Sequence, residues 1–436
     1  MTSANEHDAS LDEHSPSSFE GPLPSRGARA FRALKHREFR RIWSTFIVGQ
    51  FGFWIAFIAM QALMSRLTDT DGRWLGLLFF CNFSPMLFFT PIAGVVADRV
   101  DRRRILLATY STMTVLMSGC AAMALAGNLT PVRLLPFAFG IGTIFSFNAP
   151  ASQAVVAHSV PHSDLPSAIS LQAGGAQSAR VVGPTLAAPV LALWSEGVAF
   201  VAYAVASAIV VVMLSRMRFT AYEPEADGAR FFQRLKRGFQ HARERPPALA
   251  ALSVLAMSSL FAASYLALLP VMANDVFDKG PTGFATLAAV AGLGSMIGAL
   301  TTAFRDQMPT LRSTALLVAA FGASVAIFGV IPTWTGAYVM SVLVGVCYFS
   351  AMTTLNTLVQ SLTDENMRGR ISSLFVIGWA GLVPIGGLWQ GAFAGTYGVQ
   401  KTMLLAGTIT TVYALLVALL RGNKEAPRAA LEVSTT

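Results

Sequence analysis

Twelve apolar stretches of about twenty residues recur between Ile42 and Leu420, each long enough to cross a hydrocarbon core of roughly 30 Å. That recurrence limits the fold more than any other feature. A crossing segment must pair its own backbone N–H and C=O groups, which leaves helices or a closed barrel, and uninterrupted apolar runs fit helices. Composition agrees: 54% of the 436 residues are hydrophobic and 13% charged, against about 25% charged in soluble domains. Gly and Pro recur inside the runs, as membrane helices tolerate. The expected fold class is an all-α polytopic membrane protein.

The spans are expected at about 42–64, 74–97, 105–126, 134–156, 165–194, 198–214, 249–272, 284–304, 313–331, 337–358, 371–393 and 402–420. The long interruption after the sixth divides them six and six. Five regions follow: an N-terminal tail (1–41), a six-helix bundle (42–215), a basic linker (216–247), a second six-helix bundle (248–421) and a C-terminal tail (422–436). The first 25 residues are polar, lack an apolar core and read as a disordered tail rather than a signal peptide. In the linker, Phe232, Leu235 and Phe239 fall on one helical face with bases on the other, the pattern of a helix lying on an anionic leaflet.

The net charge of +9 could suggest nucleic acid, but its placement reads as topology and no nucleic-acid partner is expected. With both termini on one side, the opposite loops hold only Arg66, Arg73, Arg133, Lys279 and Lys401. Every other Lys or Arg except Arg180 falls on the terminal side, so the positive-inside rule puts both termini in the cytoplasm. Cys81, Cys120 and Cys347 lie in apolar runs without metal-ligand spacing and read as packing residues.

Between the second and third spans stands the densest charge cluster, Gly94-Val95-Val96-Ala97-Asp98-Arg99-Val100-Asp101-Arg102-Arg103-Arg104, a tight turn on the cytoplasmic side. A weak internal repeat supports duplication of the halves: Ile169-Ser170 after the fourth span is echoed by Ile371-Ser372 after the tenth.

These residues resemble the major facilitator superfamily, whose turn after the second helix reads Gly-x-x-x-Asp-Arg-x-Gly-Arg-Arg. Gly94, Asp98, Arg99, Arg102 and Arg103 match it, and Asp101 replaces the second glycine. The stretch from Phe31 to Trp43, Asn148-Ala149-Pro150-Ala151, Ala179-Arg180-Val181-Val182-Gly183-Pro184 and Arg368-Gly369-Arg370-Ile371-Ser372-Ser373 are similar to the branch of enterobactin exporters and multidrug and macrolide efflux proteins. The resemblance spans about residues 30–420. It implies two six-helix bundles rocking about a central cavity, and secondary active export. Gly183-Pro184 resembles an antiporter signature and is expected to serve close packing in the fifth helix. A second-half copy of the charged turn survives only as Gly294, Gly298, Arg305 and Asp306.

The gating latch is expected at Gly94, Asp98, Arg99, Arg102, Arg103 and Arg370, charge pairs and a helix terminus holding the cytoplasmic side closed. Arg180 is the one base deep in a span, a placement that costs about 2.5–3.5 kcal/mol unless it faces water or a partner. The resemblance puts the cavity between the first, fourth, seventh and tenth helices, where Gln50, Trp54, Gln61, Phe145, Asn148, Ser152, Tyr265, Tyr348, Met352 and Asn356 join Arg180 as candidate lining. Any one of these could instead be interhelical glue. No acid lies unambiguously within a span, and Asp98 and Asp275 are the coupling candidates.

Gly292-Leu293-Gly294-Ser295-Met296-Ile297-Gly298 lies inside a span with no preceding strand, which favours helix packing over nucleotide binding. No cofactor, metal or catalytic group is expected, and the chain is not read as an enzyme. The expected activity is export, by proton antiport, of a small amphipathic molecule, a siderophore or a hydrophobic drug. The expected setting is a monomer in the lipid bilayer of a bacterial inner membrane. Uptake by the same fold, or a non-transporting sensor or scaffold, are the alternatives.

Overall fold

The computed structural model describes residues 31–97, 99–217, 240, 243–304, 308–363 and 368–421. The expectations on Asp98, Arg305, Asp306, the side chain of Arg370, the amphipathic linker face and most of both tails lie outside the described residues. Among those described there is no strand. The spans are α1 (Arg37–Leu67), α2 (Gly72–Ala97), α3 (Arg102–Leu125), α4 (Pro131–His158), α5 (Leu165–Leu193), α6 (Glu196–Ser215), α7 (Pro246–Leu260 and its continuation), α8 (Gly280–Ala303), α9 (Leu311–Val330), α10 (Trp334–Ser361), α11 (Arg368–Tyr397) and α12 (Val399–Leu420). Eleven are apolar enough to cross a membrane by length and composition. The twelfth, α5, is diluted by Gln172, Gln177 and Arg180.

Local chemistry sets the ends. The Asp101 carboxylate accepts from the Arg103 N–H at 2.8 Å and starts α3, as an N-cap should. Thr130 caps α4 ahead of Pro131, Thr310 and Ser313 form a capping box on α9, and Thr333 caps α10. Gly398, at φ +91°, separates α11 from α12, a conformation that glycine adopts without Cβ strain.

Packing repeats with a shift of six helices: α3 on α6, α2 on α4 and α1 on α5 recur as α9 on α12, α8 on α10 and α7 on α11. Two six-helix bundles result. They meet through α2 against α11 and α5 against α8. Lipid offers no hydrophobic gain for helix association, so close backbone approach carries it. A Cβ on Gly72 would stand 3.0 Å from the Gly391 carbonyl, and one on Gly76 3.0 Å from the Gly391 Cα.

The end holding the α1–α2 loop is called outer here, and the end holding the α2–α3 turn inner. The bundles are closed at the outer end by the Gly72 and Gly76 contacts and by Asn274, whose Nδ2 donates to Thr70 Oγ1 at 2.6 Å. Described contacts continue to mid-height, where a Cβ on Gly381 would stand 2.9 Å from Leu87. Farther toward the inner end, Gly94 on α2 and Gly174 on α5 face open space.

α7 is not one regular helix. It is α-helical to Leu260, 3-10 over Ala263–Leu268, α-helical over Leu269–Val271 and π-helical over Met272–Val276. The three non-glycine residues with positive φ, among those described, are Asp69 and Thr70 in the α1–α2 loop and Asp278 in the α7–α8 loop. The two facing outer loops therefore carry the backbone strain.

Candidate functional site: a central cavity with one cation

A cavity of about 300 Å³ lies between the bundles at mid-height. Its walls come from α1, α2, α4 and α5 on one side and α7, α8, α10 and α11 on the other. Most of the lining is aromatic or aliphatic: Phe53, Trp54, Phe79, Phe83, Phe145 and Trp379 among others. The polar groups are Gln50, Gln177, Arg180, Ser295 and the hydroxyls of Tyr265 and Tyr348. Arg180 is the one charged lining residue among those described.

The fold pins Arg180 from three sides. Pro184 has no N–H to donate to the Arg180 carbonyl four residues back, which leaves that oxygen without its helical partner. Gly292 of α8 fits against this exposed backbone, where a Cβ would come within 2.9 Å of the Val181 Cα and 3.0 Å of the Arg180 carbonyl. On the other face, Gly183 leaves room for the Trp54 side chain. The guanidinium carbon then stands 5.2 Å from the Trp54 ring centroid and 5.8 Å from that of Tyr348. One ring belongs to each bundle. No carboxylate among the described residues lies within ion-pair distance of Arg180. Cation–π contacts give about 0.5–1 kcal/mol each when exposed and about 2 when desolvated. They offset much of the burial cost and leave the N–H groups of the guanidinium edge without an acid.

Of the eleven lining candidates, the structure brings Gln50, Trp54, Phe145, Arg180, Tyr265 and Tyr348 together around this cavity. The other five lie elsewhere. Gln61 is fully buried above the cavity, and neither amide atom has a hydrogen-bond partner among the described residues. The Asn148 Nδ2 donates to Thr109 Oγ1 at 3.1 Å, tying α4 to α3. It lines, with Gln50, Tyr110 and Tyr203, a pocket of about 20 Å³ inside the first bundle. Ser152 is buried away from the lining, Met352 packs on the core, and Asn356 accepts from Gln360 Nε2 at 2.9 Å.

Sequence reasoning passed over Phe79, Phe83, Ser295 and Trp379, because α2, α8 and α11 were not read as cavity helices, and over Phe53 of α1, which lies beside Trp54. Gln177 was legible: it sits three residues before Arg180, on the same helical face. Pro184, read as a packing residue with Gly183, does both jobs.

The inner-end arginines bond within the first bundle. Arg103 donates from Nε to the Leu214 carbonyl at 3.3 Å and from Nη2 to the Ser215 carbonyl at 2.6 Å, closing the end of α6. Arg102 Nη1 donates to the Ala154 carbonyl at 3.4 Å. Arg99 is exposed. Asp275 is exposed in the π-helical turn at the outer end and accepts from Asn274 at 3.4 Å; it does not line the cavity.

Beside the inner end of α1, Asp164 gathers the chain that precedes the helix. His36 Nε2 donates to its Oδ2 at 2.8 Å and Arg32 Nε lies 3.1 Å from Oδ1. The His36 hydrogen bond, with the nearby Arg32 charge, holds the Asp164 carboxyl below its ordinary range. The Ala33 N–H donates to Ser167 Oγ at 3.1 Å, and Trp43 Nε1 to the Leu171 carbonyl at 3.0 Å.

The family model described as transmembrane secretion effector matches residues 28–432. The staphyloferrin A transporter of Staphylococcus aureus is 23% identical over 367 residues, covering 82% of this chain and 90% of that protein. Macrolide efflux protein A of Streptococcus pyogenes is 24% identical over 375 residues, with the same coverage. The enterobactin exporter EntS of Salmonella choleraesuis is 24% identical over 396 residues, covering 90% of this chain and 91% of the exporter. Among solved structures, a mutant of the nucleoside transporter NupG superposes with a TM-score of 0.71 at 14% identity, covering 88% of this chain and all of that one. A bacterial homologue of the lysosomal transporter Spinster, inward-facing and occupied, gives the same score and identity over 88% of this chain and 97% of its own.

Proposed function

Because the chain belongs to the transmembrane secretion effector family of the major facilitator superfamily, multi-pass membrane transporters of small molecules, we propose that it exports an amphipathic anion. Its class is that of a secreted siderophore. The observation that carries this reading is Arg180, the single cation of the lining among the described residues, set among aromatic walls with no described acid paired to its N–H edge. An aromatic or aliphatic body fits the walls, and an anionic group supplies the missing partner. Export agrees with the names of the relatives, one a siderophore exporter and one a macrolide efflux protein. A hydrophobic drug is the second reading, favoured by the apolar share of the lining.

In this reading the bundles rock by alternating access, and the conformation described is open toward the cytoplasm. The termini are cytoplasmic, the membrane is the bacterial inner membrane and the working unit is a monomer. The proton gradient drives export. Since the described cavity residues include no carboxylate, the proton is carried by the substrate or by a group outside the cavity, with Asp98 and Asp275 the candidates.

The test is substrate accumulation in inside-out vesicles energised with a proton gradient. An anionic siderophore should accumulate against its gradient, and collapse of the proton gradient should abolish this. Arg180→Ala should lower the rate by about thirtyfold, the loss of one charge-assisted bond of about 2 kcal/mol. Accumulation only in right-side-out vesicles would establish uptake instead. A rate indifferent to Arg180 would end the anion reading.

A further inference from the structure

Tyr348 does more than border the cavity. Its hydroxyl oxygen accepts a hydrogen bond from Trp379 Nε1 at 3.1 Å, and its ring lies 5.4 Å from that of Phe321. An indole N–H can only donate, so the Tyr348 oxygen is the acceptor and its position is fixed from α11. The ring so held is the one that covers Arg180 from the second bundle, opposite Trp54 of the first. With aromatic rings against it, a guanidinium offers its in-plane N–H groups, a fork that matches two coplanar oxygens.

We propose that Trp379 is a positioning residue for substrate selection. It holds Tyr348 against Arg180, so that the cavity prefers a planar, two-oxygen anion over a tetrahedral one of equal charge. The proposal rests on the reading of Arg180 as the substrate's anion partner. It adds which anion geometry is selected and which wall residue, acting through Tyr348, enforces the selection. Gln177, three residues before Arg180 and also lining the cavity, supplies an amide for a neighbouring polar group of the same substrate.

Without the Trp379 N–H, the Tyr348 ring is free to turn about its side-chain torsions. The guanidinium then tilts, and its fork no longer faces a fixed direction. Charge attraction persists, since Arg180 remains. Planarity selection does not.

The experiment titrates the full-length chain in lipid nanodiscs with benzoate, benzenesulfonate and benzamide, following weak binding by ligand-observed NMR. The wild type should bind benzoate about tenfold more tightly than benzenesulfonate, the factor that 1.4 kcal/mol gives, with benzamide weakest. Trp379→Phe keeps an aromatic wall and removes the donor, and should reduce the benzoate-to-benzenesulfonate ratio to about two, with any lost wall contact falling on all three probes alike. Tyr348→Phe should do the same, and the double variant should be no worse than either single, because both remove one bond. Trp379→His, which keeps a ring N–H, should recover part of the ratio.

An unchanged ratio in Trp379→Phe, or additive effects in the double variant, would overturn the proposal. Equal loss for all three probes would also overturn it, marking Trp379 as structural only. Arg180→Ala separates this proposal from the reading beneath it. If that variant still prefers both anions to benzamide, the anion reading itself fails; if it loses the preference while Trp379→Phe keeps the ratio, only the positioning role falls.

Discussion

The first helix of each bundle crosses the membrane as a segment of 31 residues, Arg37–Leu67 and Pro246–Val276, yet the two are built differently. α1 is a single α-helix, and its glycines receive rings from its own bundle: Gly49 meets Tyr110, Gly52 meets Tyr203. α7 changes helix type three times. The backbone groups left by its first break are met from α11, where Trp389 Nε1 donates to the Leu260 carbonyl at 3.0 Å and Gln390 Nε2 to that of Phe261. Ser264 Oγ, within the 3-10 segment, donates to the Val383 carbonyl of α11 at 2.8 Å. Since Ala263, Tyr265 and Leu266 line the cavity, one cavity wall is a stiff rod and the facing wall a jointed one. An irregular backbone at membrane depth persists only where protein or a wet cavity meets its polar groups, and α11 is that protein.

The sharpest way to break this contrast is to disturb the joint directly. A Cβ on Gly386 would collide with Ser264 Oγ and the Leu260 carbonyl, a side chain and a backbone that are both committed to the break. Gly386→Ala should cost about 1–3 kcal/mol, the usual range for overpacking, read as a lower thermal unfolding midpoint in detergent. The matched change beside α1 is Gly175→Ala, which meets the tip of the flexible Ile47 side chain and should cost under about 1 kcal/mol. Equal losses would remove the distinction between rod and joint.

Gln390→Leu tests the polar half of the same account. It leaves the partly buried Phe261 carbonyl unpaired at a cost of about 1–2 kcal/mol. Hydrogen exchange should quicken around residues 261–266 of α7 and stay unchanged at the corresponding depth of α1. Faster exchange in both helices would mean a global loss of stability rather than a loosened joint.

How far this could be read from sequence follows from where each feature's cause lies. Eleven spans were legible because apolar length decides a crossing, and α5, diluted by Gln172, Gln177 and Arg180, was legible from its length. Arg180 was legible because a charge within a span is expensive anywhere. The break in α7 was not, since Phe261-Ala262-Ala263-Ser264 holds neither proline nor glycine and its cause sits on α11, more than a hundred residues later. Gln61 misled for a related reason. It follows Trp54 along one face, but the closed outer end seals α1 at that height. Asn148 carries the same amide chemistry as Gln50, yet a neighbouring Thr109 claims it. Periodicity assigns a face; the partner on that face is a tertiary fact.

The rod and the joint also meet each other. Thr70 follows α1 and Asn274 lies in the π-helical turn that ends α7, and their hydrogen bond links the bundles at the outer end. Asn274→Ala should shift the balance toward the outer-open state by about fivefold, the value of one bond near 1 kcal/mol. Spin labels at the exposed positions Asp69 and Asp278 would report it as a larger fraction of long distances. Thr70 is β-branched at φ +62°, a conformation held only because its surroundings demand it, so opening here also releases strain. An unchanged distance distribution would assign outer closure to the Gly72, Gly76 and Gly391 contacts alone.

The smallest expected effect concerns how the two helices begin. Before α1, Asp164 binds His36 and Arg32; before α7, Arg245 donates to the Leu362 carbonyl at 3.0 Å, a bond that involves no carboxylate. The His36 bond and the Arg32 charge lower the Asp164 pKa in the folded chain, so the folded state holds this carboxyl's proton less tightly than the unfolded state does. The resulting stabilisation is complete above the unfolded value of about 3.9 and is lost as pH falls below it through the lower folded value. Hydrogen exchange at the first turn of α1 should therefore quicken on acidification below about pH 4, relative to the first turn of α7. Asp164→Asn should make the start of α1 insensitive to pH over that interval, and already looser at pH 7. If the starts of both helices loosened together in the wild type and stayed coupled in Asp164→Asn, the acid response would belong to the whole molecule, and the clasp would not distinguish the rod from the joint.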